Sequence, residues 1–298
     1  MKYGSLIFLK SLKEQIPYYA VSVENLALQN SNFEKIGDRL VNIVAKTHPD
    51  KWIEKLIDGY GYFVSDVIRS QKIYEKTGSY ERKTQIKILK EVYLDEEVMG
   101  DYHWGMLATL FCWSHHLMLV DGFLSRFIPY FGKKGPTNII DLGCGSGVWS
   151  ILALEEWEKT KAEFVDISPI SLGETKLTID ALSLNNRVSL HESELTIFES
   201  SNGRVEAIIS TFVAAHFENP QTYFNKISSL LKTNGLAYIS IALNAAEVDH
   251  IFEFKKESEP IIMAEEAGLT LIDAQLALPD MQKPNSARSF AMIFKKSN

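Results

Sequence analysis

Residues 141–147 read Asp141-Leu142-Gly143-Cys144-Gly145-Ser146-Gly147, at the close of the apolar run 137–142. Glycines in three alternate positions let the chain turn sharply and bring its backbone against a ligand with no β-carbon in the way. A helix opening near Gly147 points its free amides at whatever the turn holds. Outward from this turn, buried strands are expected at 162–167, 187–191, 207–212 and 236–242, with two late strands at 270–276 and 289–294. Helices are expected between them at 171–184, from Asn219-Pro220 onward, and at 260–267. Asn219 suits a cap, Pro220 a first turn, and Gly235 the left-handed exit of that helix. Strands alternating with helices predict a parallel α/β sheet.

Upstream, to about residue 131, the rhythm is helical: Ile53, Leu56, Ile57 and Tyr60 recur at helical spacing, as do Ile86, Leu89 and Tyr93. Breaks are expected at His48-Pro49, Gly59-Tyr60-Gly61, Thr77-Gly78-Ser79 and Gly100-Asp101. Gly132-Lys133-Lys134-Gly135-Pro136 is the candidate linker. The reading is an all-helical domain over 1–131 and an α/β domain over 132–298. A net charge of -7 disfavours a partner gripped through its phosphate backbone, so no nucleic acid is expected. Two cysteines, Cys112 and Cys144, imply no disulfide framework and point to a reducing cytoplasm. The first apolar run is four residues long before Lys10 and Lys13 follow, too short for a signal-peptide core. The most apolar stretch, 105–120, carries Ser114, His115 and His116 and falls short of a membrane span. A soluble, cytoplasmic protein that does not bind membranes is therefore expected.

A dinucleotide fingerprint G-x-G-x-x-G needs glycine at position 148, where this chain has Val148. The pattern D-x-G-x-G-x-G instead resembles motif I of the class I, Rossmann-like, S-adenosylmethionine-dependent methyltransferases. The resemblance covers about 137–242, more loosely to the end. It implies S-adenosyl-L-methionine as cofactor, with Gly143, Gly145 and Gly147 under its amino-acid and ribose parts and Asp141 holding its amino group. At the end of the second strand Asp166 takes the place of the family's acid that accepts both ribose hydroxyls, which one carboxylate can do. Past the third strand, Ser193 and Glu194 stand where a small residue and an adenine-binding acid are usual. The family's acid is commonly aspartate, and Glu192 is a rival to Glu194.

After the fourth strand comes Ser210-Thr211-Phe212-Val213-Ala214-Ala215-His216-Phe217. In open α/β sheets ligands bind beyond the carboxyl ends of the strands, where strand order reverses. Thr211 and Phe212 are thus expected beside the cofactor and the loop beside its methyl. The loop lacks the Asn/Asp-Pro-Pro-Tyr/Phe of some enzymes that modify bases or protein amides. His216 is the candidate general base, titrating near neutrality. Otherwise it packs or caps the next helix. The helical half is expected to supply the acceptor pocket, with Tyr102, Trp104 and His115 as substrate contacts and His116 and Tyr102 as further catalytic candidates. His115 and His116 look like half a metal site. Adjacent helical residues point about 100° apart, though, and no matching carboxylate spacing follows, so no metal is expected. The resemblance implies methyl transfer to oxygen, nitrogen or carbon of a small molecule, in secondary metabolism, by a homodimer paired through its helical domain. Two alternatives share the same motifs: cyclisation of the cofactor or transfer of its aminocarboxypropyl arm, and cofactor binding without chemistry.

Overall fold

A computed structural model describes residues 2–80, 84–279 and 287–297. The N-terminal part holds α1 (Gly4–Gln15), α2 (Pro17–Gln29), α3 (Asn32–Thr47), α4 (Trp52–Thr77), a short α5 (Gln85–Ile88), α6 (Glu96–Cys112) and α7 (Ser114–Gly122). A π-helical turn, Leu89–Tyr93, continues α5, and a second, Phe123–Phe127, continues α7. Helix α6 starts on the Asp95 side chain, which accepts from the amides of Glu97 and Val98.

Two expected breaks are absent, because α4 runs through Gly59-Tyr60-Gly61 and α6 through Gly100-Asp101. At Gly59 glycine serves as a place for close approach rather than as a breaker, whereas at Gly100 nothing lies within 4 Å of an added β-carbon. A β-carbon on Gly59 would lie 2.7 Å from the Gly105 nitrogen and 2.8 Å from the Asp101 carbonyl. The two helices cross where neither has a side chain. The break after Thr77 is present, with Gly78 left-handed at φ 72°.

The sheet follows as β1 (Asn138–Leu142), β2 (Lys161–Asp166), β3 (Val188–Glu192), β4 (Val205–Thr211), β5 (Leu231–Leu243), β6 (Leu269–Ala277) and β7 (Arg288–Lys296). Its helices are α8 (Val148–Glu156), α9 (Pro169–Ala181), α10 (Pro220–Leu230) and α11 (Ser258–Glu266). The strand order is β3-β2-β1-β4-β5-β7-β6, with β1 to β5 parallel and β7 antiparallel to both neighbours. Order reverses between β1 and β4, so the crevice for a ligand opens at their carboxyl ends. Asn219 caps α10 by accepting from the Gln221 amide, as expected. The left-handed residue after α10 is Asn234 (φ 63°), not Gly235. Gly235 is instead squeezed, its absent β-carbon falling 2.9 Å from the Lys232 carbonyl and 3.1 Å from that of Glu206.

The helical part is not loosely tethered. Phe8, Leu40, Leu56 and Phe111 belong to the same buried cluster as Ile139, Trp149 and Phe164. Polar bridges lie over that core: the Glu174 carboxylate on α9 meets His48 at 2.8 Å and Lys55 at 3.3 Å, and Arg39 meets Glu155 at 2.7 Å. Among the described residues no single helix is long and apolar enough to cross a membrane.

Candidate active site

A cavity with about 1190 Å³ of atom-free space, part of it open to solvent, lies where β1 and β4 diverge. One wall is the glycine turn. Gly143, Gly145 and Gly147 all have positive φ, at 77°, 49° and 64°. A β-carbon on Gly143 would strike Val213 at 2.5 Å, and one on Gly147 would strike Phe164 at 2.6 Å. At Gly145 it would meet nothing within 4 Å, because that position faces the cavity. Of the three, Gly145 is the one whose missing side chain leaves room for a ligand.

Beneath the turn Asp141 is buried, and its Oδ2 has no hydrogen-bond partner. Burial pushes its carboxyl up to about 7, against the pull of Ser150. Asp166 lines the cavity, its Oδ2 accepting the Gly145 amide at 2.7 Å and its Oδ1 the Ser168 amide at 2.9 Å. Burial raises its pKa and these amides oppose the rise. A carboxylate offers about four lone-pair sites, so two remain for ribose hydroxyls. Glu194 reaches the rim, its carboxylate accepting the Thr196 hydroxyl, while the exposed Glu192 does not line the cavity. Ser193 stands behind, donating its amide to the Asp166 carbonyl at 2.9 Å. Thr211 and Phe212 line the floor, and Phe212 is left-handed at φ 59°. That conformation is costly for a bulky side chain, and its amide bond to the Ser240 carbonyl (2.8 Å) helps hold it. An open cradle over Gly145, an unpartnered buried acid and spare acceptors on Asp166 fit S-adenosylmethionine, whose amino-acid and ribose parts carry N–H and O–H donors.

The opposite wall comes from the helical part. On α6, Met99, Tyr102, Met106 and Leu110 fall three or four apart, hence on one face, and line the cavity with Leu107 and with Ile88 and Leu89. Trp104 is only two positions from Tyr102, so it points away. It is 1% exposed, edge-on to His48 at 5.3 Å, and is not a substrate contact. His115 and His116 also stay off the cavity wall. His115 stacks on Trp113, and buried His116 bonds Thr109 at 2.9 Å and backs Phe212 at 4.8 Å. Burial pushes His116 far below the usual histidine range, and its place behind Phe212 keeps it off the cavity wall.

His216 lies on a 3₁₀ turn, Ala214–His216, and faces the cavity as expected. Its partners were not anticipated. The loop after β5 folds back, the amides of Ile251 and Phe252 donating to the Ala215 carbonyl at 2.8 and 2.9 Å. This sets Asp249 and His250 beside His216. The His216 Nδ1 is 3.1 Å from the Tyr93 hydroxyl, and its Nε2 is 3.4 Å from Asp249 Oδ2. Tyr93 and Tyr102 both donate to that same oxygen, at 3.1 and 3.2 Å. Burial pushes His216 down to about 4, partly countered by Asp249. Glu247, also on the cavity, is pushed up to about 7 by burial. The signal in the sequence was the run Glu247-x-Asp249-His250 after the end of β5, where open sheets place ligands.

With this geometry in place, comparison with known proteins gives the class. The sequence profile of the family described as methyltransferase domain matches residues 115–295, and the chain belongs to that family. It is an S-adenosylmethionine-dependent methyltransferase. No curated protein matches the sequence. Among solved structures, the N-methyltransferase NodS from Bradyrhizobium japonicum, bound to S-adenosylhomocysteine, is 12% identical with a TM-score of 0.53, covering 72% of this chain and all of its own. An O-methyltransferase family protein from Burkholderia thailandensis is 14% identical with a TM-score of 0.53, covering 86% of this chain and 72% of its own. An S-adenosylmethionine-dependent methyltransferase from Aquifex aeolicus is 16% identical with a TM-score of 0.51, covering 68% and 98%. At such identities these likenesses speak for the fold alone.

Proposed function

We propose that this methyltransferase acts on a small, largely apolar molecule that carries one polar reacting group, held between α6 and the glycine turn. The observation that carries this reading is the chemical asymmetry of the outer wall. Met99, Met106, Leu107 and Leu110 make it apolar, and the polar groups of Tyr93, Tyr102, His216, Glu247 and Asp249 gather at one end. The formal charge of -7 and the absence of an Asn-Pro-Pro-Tyr/Phe loop support a small acceptor over a nucleic acid.

S-adenosylmethionine supplies an activated methyl on sulfonium, and its transfer leaves S-adenosylhomocysteine. The chain's own part is alignment and exclusion of water. Asp166 and Glu194 would hold the ribose and adenine ends, and Asp141 and the turn the amino-acid end. Tyr102 and Tyr93 fix Asp249, and the α6 face shields the reacting atoms. An oxygen or acidic carbon must lose a proton as its new bond forms, and His216 is unprotonated at neutral pH and placed to receive it. The test is transfer of labelled methyl from the cofactor into a cell extract split by size. Label in the small-molecule fraction is expected, and label only in protein or nucleic acid would overturn the reading.

A further inference from the structure

We propose that His216, Asp249 and His250 form a site for one divalent transition-metal ion at the polar end of the cavity, where the ion would hold an oxygen of the acceptor. This rests on the small-acceptor reading above and gives His216 a ligand role in place of its role as base, since the one lone-pair nitrogen of a neutral imidazole cannot take a metal and a proton at once. One ligand atom from each of the three side chains lies within 4.8 Å of the other two. Two ligands on one ion, with bonds of about 2.0–2.1 Å at a tetrahedral angle, lie about 3.4 Å apart. His216 Nε2 and Asp249 Oδ2 are 3.4 Å apart.

Hydrogen bonding around the three groups suits ligands. His250 Nδ1 is 2.7 Å from the Ala245 carbonyl and donates to it, which leaves the lone pair on Nε2. Tyr93 and Tyr102 orient the Asp249 carboxylate from outside, as partners of ligating carboxylates do. Asp249 is completely buried and its Oδ1 has no partner. No lysine or arginine among the described residues pairs with it, and the groups that face this buried carboxylate are two imidazoles and two phenols.

A proton count points the same way. Three contacts close a triangle: His216 Nδ1 to Tyr93, Tyr93 to Asp249, and Asp249 to His216 Nε2. A neutral imidazole and one phenol bring two protons to them. Two protons serve only two of the three contacts, and in the tautomer with Nδ1–H donating to Tyr93 it is the His216 Nε2 lone pair that faces a carboxylate oxygen with nothing between. A cation supplies what that third contact lacks. Two imidazoles and a carboxylate are the donor set of facial sites that leave positions open, and they favour iron(II), manganese, cobalt, nickel or zinc over magnesium or calcium. Glu247, whose Oε2 is 3.7 Å from His250 Nε2, is within reach as a further ligand.

The experiment is titration of chelator-stripped protein with Co(II), followed by its visible ligand-field spectrum and by elemental analysis, beside calorimetry with S-adenosylhomocysteine. One equivalent per chain is expected. His250→Ala should weaken Co(II) at least ~100-fold, more than loss of an outer partner costs, and Tyr102→Phe about tenfold. Both should keep wild-type affinity for S-adenosylhomocysteine, which also shows that they fold. His250→Gln gives a second reading of the same ligand with less change of volume. Protein that binds S-adenosylhomocysteine but no stoichiometric Co(II), or that binds Co(II) equally well in all variants, overturns the metal site and leaves the methyltransferase assignment standing.

Discussion

The wall of the cavity that we assign to the cofactor is lined by residues 143–146 and 166–167, each group contiguous in the chain and each at a strand end. The wall that we assign to the acceptor joins Tyr93 and Tyr102, from the helical part, to His216 and to Asp249 from the loop after β5. The first works through backbone, with three left-handed glycines and amides shared by Asp166. The second works through side chains brought together from three distant stretches. A backbone grip suits a cofactor common to a whole family, while a side-chain assembly can change its occupant by single substitutions.

This contrast predicts separable losses. The largest belongs to the turn. Gly145→Val places a branched side chain in the open cradle at φ 49° and should lower affinity for S-adenosylhomocysteine roughly a thousandfold, about 4 kcal/mol, by calorimetry. Unchanged binding would mean that the cofactor does not cross this turn. His216→Ala should cut turnover about a hundredfold or more while cofactor affinity holds. If His216 receives the proton, wild-type turnover falls as pH drops through about 4, its buried pKa, and that limb vanishes in the variant. A variant with full turnover removes the side-chain wall from catalysis.

Asp166→Ala should cost about 2–3 kcal/mol of cofactor affinity, on the order of a hundredfold, with Asp166→Asn losing less. An unchanged dissociation constant would put the ribose elsewhere. The last effect lies outside both walls and touches stability rather than binding. His103, 4% exposed and without hydrogen-bond partners, is pushed down to about 4 by burial. Its folded pKa lies below the unfolded value, so the unfolded chain takes up the proton first. Stability falls as pH drops from about 6.5 to 4, by up to about 1.4 kcal/mol per unit. His103→Phe should flatten that part of the melting-temperature profile and leave cofactor affinity alone. An unaltered profile would show that other groups set the acid limit.

The glycine turn and the acid beside it were legible in the sequence because their determinants are local: glycine spacing, a strand before, a helix after, an acid at the next strand end. Strands and helices of the sheet followed from periodicity, with most ends displaced by one or two residues, while β5 starts five residues before the expected 236 and α9 ends three before the expected 184. Gly59 was misread as a break, since glycine marks a turn or a close crossing alike, and only the packing of α4 on α6 distinguishes them; Gly100 was misread too, though nothing lies within 4 Å of where its β-carbon would be. Trp104 looked like a substrate contact because aromatic clustering along the chain ignores the 100° between neighbours on a helix. Asp249 and His250 were missed for the opposite reason: His216 lies 33 and 34 positions before them, and the bonds of Ile251 and Phe252 to the Ala215 carbonyl help bring them to it.

The central claim is that the chain spends S-adenosylmethionine as a methyl donor. Its most direct test is mass spectrometry of the cofactor product after incubation with a small-molecule extract. S-adenosylhomocysteine should accumulate, in amounts matching the methyl found on the acceptor and abolished by Gly145→Val. Methylthioadenosine in its place would show that the cofactor is cyclised or loses its aminocarboxypropyl arm, and would contradict the account.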